Sequence, residues 1–226
     1  LGFFTRAKIY ADLPSANITS VLQRVTFPLM SMIQDDEERL RIDYRRILRL
    51  SAYIVFPLMI GMAAVARPMI IVMITAKWEP CVVYLQIICV AMMWYPIHAI
   101  NLNLLQVKGR SDLFFRLEVI KKVMLTLVMC VTIPIGVLAM CWGMIFTSVV
   151  SLVINTYYTG KLIHVGFIRQ MRDLTPVLFA SFAMGGMVYA LTLVINSVYL
   201  QLILGIPAGV AVYLGISVAF KFPELK

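Results

Sequence analysis

Two sets of polar side chains lie inside stretches that are otherwise apolar. The first is in Met92–Lys122, where His98, Asn101, Asn103 and Gln106 run through an apolar segment that ends in a cluster of charge. At 3.6 residues per turn, Tyr95, His98, Asn101 and Gln106 share one side, with Asn103 further round. Hydrocarbon penalises such groups, so several in one span predict a protein interior or a water-filled path. The second set is Asn17, Ser20, Arg24 and Ser31, which fall within about a sixth of a helix circumference. Arg24 is mid-span, where an arginine costs about 2.5–3.5 kcal/mol. No acidic residue of that segment pairs with it. The chemistry both sets suit is recognition: amides and an imidazole for a polar ligand, a guanidinium for an anion. Polar packing between helices uses the same residue types, and carbonyls or an acidic partner elsewhere would also hold Arg24.

The elements that must position these residues are membrane helices. The chain is 62% hydrophobic and 14% charged, against the 45–50% and about 25% of soluble domains. The net charge of +9 does not indicate a nucleic-acid partner, because the basic residues sit in connectors between apolar spans. Cys81, Cys89, Cys130 and Cys141 lie in or beside apolar segments without a CxxC pair. They are read as small core residues, and no metal, cofactor or disulfide framework is expected.

The pattern predicts an all-α integral membrane protein of about seven spans. Their approximate bounds are Pro14–Ile33, Leu50–Ala66, Cys81–Val107, Asp112–Ile133, Val137–Thr159, Pro176–Ile195 and Val198–Phe220. Leu1–Leu13 is read as an amphipathic, interfacial lead-in, and Pro14 as a first-turn proline. Pro57 is expected to bend span two, Arg67-Pro68 to interrupt the chain after it, and Pro96 to break span three. Glu118 is expected to pair with Lys121 or Lys122, near the basic end of span four. In span five Gly143, Thr147, Ser151 and Asn155 recur at i+4, a packing seam for a close neighbour. Gly205 and Gly209 form a GxxxG match that Pro207 would turn into a kink.

Gln34–Leu50 is the most charged stretch, with Asp35, Asp36, Glu37 and Glu38 followed by Arg39, Arg41, Arg45, Arg46 and Arg49. That order suits a helix dipole. These arginines, with Lys108 and Arg110, are candidate membrane-surface contacts or, equally in kind, topology signals. Alternating the connectors places these and Arg116, Lys121, Lys122, Lys161, Arg169, Arg172, Lys221 and Lys226 on one side. Arg6, Lys8, Arg67 and Lys77 fall on the other. The positive-inside rule then puts the C-terminus in the cytoplasm. Leu1 carries no initiator Met and no signal-peptide region, so the sequence is read as part of a longer protein.

LQRVTFP, the IQDD run that follows it and NLLQVKGRSD are the most specific segments of a broader likeness. Through them the chain resembles bacterial polysaccharide and O-antigen flippases of the Wzx type, within the multidrug/oligosaccharidyl-lipid/polysaccharide exporter superfamily. The resemblance covers essentially the whole chain, residues 1–226, as the C-terminal transmembrane lobe of a two-lobed transporter. It implies a central cavity and transfer of an undecaprenyl-diphosphate-linked oligosaccharide across the cytoplasmic membrane by alternating access. It also implies membrane lipid, an N-terminal lobe of the same chain and other polysaccharide assembly proteins as partners. The candidate substrate contacts are then Arg24, Asn17, Ser20, His98, Asn101 and Gln106, with no catalytic residue. Asn101 is the one expected to touch the sugar or its diphosphate. The alternatives are a cation-coupled multidrug antiporter of the same superfamily, a membrane glycan polymerase or glycosyltransferase, and a seven-span receptor. An antiporter would more naturally need a carboxylate within the membrane, a role Glu118 does not fill from a basic end.

Overall fold

A computed structural model describes residues 2–222; Leu1 and Lys226 lie outside the described residues. The described chain is helical throughout. Its helices are α1 (Gly2–Met32), α2 (Glu37–Ala64), α3 (Ala66–Met73), α4 (Cys81–Met92), α5 (Tyr95–Val107), α6 (Ser111–Ile135), α7 (Val137–Ile163), α8 (Phe167–Val194) and α9 (Val198–Ala219). Five segments are long and apolar enough to cross a membrane: Glu37–Ala64, Cys81–Val107, Val137–Ile163, Phe167–Val194 and Val198–Ala219. The first of these helices begins in the charged stretch, which is therefore continuous with the apolar part and not a separate helix. Asp36 caps it, its carboxylate accepting the Arg39 N–H at 3.0 Å.

Helices α1 and α6, with 31 and 25 residues, reach about 46 and 37 Å at 1.5 Å per residue. Length is not what separates them from the five. They carry the polar residues of the sequence reading, Arg24 on one and Glu118, Lys121 and Lys122 on the other. The lead-in expected over Leu1–Leu13 is, from Gly2, continuous with the first span. Pro14 is thus internal to α1 and not in its first turn. In a membrane helix a proline is tolerated where neighbours satisfy what it frees. Ala7, Ala11, Ser15 and Thr19, spaced by four and all buried, let α4 and α5 approach closely.

Proline lacks an N–H, so it strands the carbonyl four residues earlier. Pro57 strands Tyr53, and the Tyr213 hydroxyl of α9 donates to that oxygen at 2.9 Å. Helix α2 accordingly runs on through Pro57 and ends at Ala64, ahead of Arg67-Pro68. Pro96 strands Met92, and Ser15 of α1 donates to its carbonyl at 2.8 Å. Here the helix does break, at Met93 and Trp94, and Ser148 of α7 donates to the neighbouring Ala91 carbonyl at 3.2 Å.

Helices α2 and α8 form the central pair. A Cβ on Gly185 would lie 2.5 Å from the Ile60 Cγ2 of α2, so only glycine allows that approach. Gly205 and Gly209 seat α9 against Val188 of α8, and α9 remains one helix through Pro207. The connectors sort by side. Lys108 Nζ donates to the Gln34 carbonyl at 2.7 Å, joining two of the basic connectors. At the other end Phe3 meets Trp78 edge-on at 5.5 Å and Arg6 lies over the same ring.

Candidate functional site

A cavity of about 580 Å³ opens between α5, α6 and α7, with Gln23 of α1 on its rim. The break between α4 and α5 builds its polar wall. Ser148 gives its one proton to the Ala91 carbonyl, so its oxygen accepts from His98 Nε2 at 3.1 Å. That assigns the proton to Nε2 and leaves His98 Nδ1 as an acceptor. Nδ1 is buried without a partner. One and a half turns on, Asn103 Oδ1 accepts from Gln23 Nε2 at 3.4 Å, while its Nδ2 donor is buried and unused. Both residues line the cavity with Gln106, Thr147 and Ser151, although these two atoms are themselves buried.

Helix α6 supplies charge to the same cavity. Lys121 pairs with Glu118 one turn away, and both side chains are largely shielded, at 15% and 33% exposure. Lys122 joins them in the lining. The three share one face of α6, while Val119, Ile120 and Val123 take the outer face. Tyr95 and Phe114 add aromatic surface beside the amides.

The structure sorts the sequence candidates. His98 and Gln106 line the cavity. Asn101 does not, and its expected contact with a substrate is corrected. It is 1% exposed and sits at the meeting point of α2, α5, α7 and α8. Its Oδ1 accepts from Tyr44 at 3.0 Å, Thr159 at 2.6 Å and Gln170 at 3.1 Å. Its Nδ2 donates to the Ile97 carbonyl and to Gln170 Oε1. With every lone pair and proton engaged, Asn101 has nothing left for a ligand. Helical periodicity put Asn101 with His98 and Gln106, but α5 is covered on both of those flanks.

Asn17, Ser20 and Arg24 lie together on α1, exposed, on a face turned away from its buried row and outside this cavity. The i+4 row of α7 divides its work. Gly143 packs on Val128 and Thr132 of α6, Thr147 and Ser151 line the cavity, and Asn155 is buried. Gln23 and Ser148 were not singled out from sequence. Gln23 carried a signal, as a polar residue inside an apolar span beside Arg24.

Comparison with known proteins shows what this chain is similar to. Residues 1–83 match the family described as Polysaccharide biosynthesis protein. A Klebsiella pneumoniae protein described as an uncharacterized membrane protein in cps region is 29% identical over 153 residues, 66% of this chain and 31% of that protein. Lipopolysaccharide biosynthesis protein WzxC of Escherichia coli K12 is 29% identical over 120 residues, 53% of this chain and 24% of that one. The chain is thus similar to bacterial proteins of polysaccharide and lipopolysaccharide biosynthesis. Teichuronic acid biosynthesis protein TuaB of Bacillus subtilis 168 is 22% identical across 100% of this chain and 48% of its own. Among solved structures, the lipid II flippase MurJ in an inward closed conformation superimposes with a TM-score of 0.82 at 16% identity, which establishes the fold. That match covers all of this chain and 48% of MurJ. The chain therefore spans half or less of the length of the relatives it matches.

Proposed function

We propose that this chain forms one lobe of a flippase that carries an undecaprenyl-diphosphate-linked oligosaccharide from the cytoplasmic to the outer leaflet by alternating access. The observation that carries the reading is the polar wall of the cavity, where His98, Asn103 and Gln106 of α5 face Thr147 and Ser151 of α7. A sugar hydroxyl both donates and accepts, so a saccharide matches a wall of amides and hydroxyls. Gln23, Gln106, Thr147 and Ser151 extend the same chemistry along the wall. The functions of the similar proteins, lipopolysaccharide and teichuronic acid biosynthesis and lipid II flipping, support a lipid-linked sugar as cargo.

In this reading Asn17, Ser20 and Arg24 form a second contact surface, turned toward the other lobe of the transporter. Arg24 grips the diphosphate as it crosses, and its planar fork matters more than its charge. Export of surface polysaccharide by the full-length protein tests this. Arg24→Ala and Arg24→Lys are both expected to impair export at normal membrane levels. Wild-type polysaccharide from stably inserted Arg24→Ala removes Arg24 from the mechanism. Deletion of the whole gene is expected to leave lipid-linked intermediate on the cytoplasmic face.

A cation-coupled antiporter is the second reading, favoured by one observation: Glu118 stands in the cavity wall. Its pairing with Lys121 opposes that role, because a neutralised carboxylate has little left for a cation. Cation-dependent drug efflux that disappears in Glu118→Gln would favour the antiporter over the flippase.

A further inference from the structure

We infer that a cleft between the N-terminal parts of α2 and α8 binds the phosphate of an anionic phospholipid headgroup. The cleft, of about 530 Å³, is lined by Arg41, Ile42 and Arg45 of α2 and Arg169, Arg172 and Asp173 of α8. Four guanidiniums face one carboxylate, which leaves three positive charges in excess. Arg45 is already committed. It grips Asp173 with two hydrogen bonds, of 2.7 and 2.6 Å, and Asp173 is only 8% exposed. That bidentate pair locks the two helices in register and holds the remaining three arginines around one space.

Those three have little to balance them within the cleft. Arg169 donates one N–H to the His164 carbonyl at 3.0 Å, a neutral acceptor. Arg41 reaches Glu38 at 3.4 Å, but that carboxylate is largely in solvent and screened. Like charges crowded in a concave space repel, and an anion with several acceptor oxygens relieves this while matching the guanidinium forks. A phosphate has that geometry.

The surroundings select a lipid over a free ion. Exposed apolar Ile42 lines the cleft, and exposed Phe167 and Ile168 begin α8 beside it. A basic cleft with apolar residues at its edge fits a headgroup whose acyl chains continue along the helices. The inference is independent of what the cavity of α5, α6 and α7 carries.

The test is native mass spectrometry of the purified full-length protein titrated with phosphatidylglycerol. R169Q/R172Q is expected to weaken binding roughly 30-fold, at the worth of two interfacial basic residues. R39Q/R46Q removes the same charge from α2 outside the cleft and is expected to leave binding within about twofold. R169K/R172K keeps the charge, loses the forks and is expected to fall between them. Should R169Q/R172Q not purify as a monodisperse protein, R172Q alone is expected to weaken binding roughly fivefold. Equal losses in R169Q/R172Q and R39Q/R46Q, or no loss in either, would overturn the site. Displacement of the lipid by millimolar inorganic phosphate would overturn the lipid as its occupant.

Discussion

The side-chain amides of Asn101 and Gln170 face one another and exchange hydrogen bonds, at 3.2 Å in one direction and 3.1 Å in the other. Tyr44 and Thr159 close on the same Asn101 oxygen, so four helices meet at one amide. Removing it leaves buried donors unsatisfied, at about 1–3 kcal/mol for each. Asn101→Ala is therefore expected to lower membrane protein level and melting temperature. Export per molecule of surviving protein is expected to stay near wild type. Normal level with lost export would restore Asn101 to the transport path.

The Tyr213 hydroxyl and Pro57 form a conditional pair, since Tyr213 bonds the carbonyl that Pro57 leaves open. Tyr213→Phe is expected to cost about 0.6–1.7 kcal/mol. In a Pro57→Ala background residue 57 regains its N–H and takes the Tyr53 carbonyl, so the same change should cost much less. A thermal-stability cycle over the four proteins measures this. Equal losses in both backgrounds would show that the hydroxyl acts through another contact.

Adjacent glycines of α8 make opposite forecasts. A Cβ at position 185 meets Ile60 at 2.5 Å, and one at position 186 meets nothing within 4 Å. Gly185→Ala is expected to destabilise by about 1–3 kcal/mol through overpacking. Gly186→Ala is expected to be neutral or to stabilise by up to about 1 kcal/mol, from helix propensity. Detergent-solubilised melting curves decide it, and identical responses would mean that α2 and α8 are further apart.

Glu118 and Lys121 separate a structural pair from a binding one. Each single change to Gln leaves an unpaired charge in the cavity wall, so protein level should fall in E118Q and in K121Q. The double variant E118Q/K121Q is expected to recover level. If Lys121 also contacts an anionic part of the cargo, export by the double variant stays at least about tenfold down. Recovery of both level and export would make the pair structural only.

The sidedness of the connectors is open to labelling. The N-terminal end of α1 meets the turn around Trp78, while Lys108 meets Gln34 on the other side. The charge bias predicts that the Lys108 side is cytoplasmic and that the C-terminus lies with it. In a full-length protein freed of its cysteines, including the exposed Cys130, a cysteine at Gly109 should resist an impermeant thiol reagent in whole cells. One at Ser197 should react. The reverse pattern would invert the orientation.

Much of this protein is written in local chemistry. Long apolar runs fixed that it is helical and membrane-embedded, because backbone polar groups in lipid must be satisfied within the segment. Pro96 marked the break in span three. Periodicity alone also placed His98 and Gln106 on a common side, and both line the cavity. What it left open was which flank of α5 its neighbours would cover. Asn101 and Asn103 are the same residue type two positions apart, yet Tyr44, Thr159 and Gln170, 57, 58 and 69 residues away in sequence, consume one and leave the other a free donor. The same holds for Lys121, basic-end residue by sequence and cavity wall by packing, and for Arg45 and Asp173, 128 residues apart. A side chain's period is local, but its partners are chosen by how helices distant in sequence come together, and only the tertiary structure decides that.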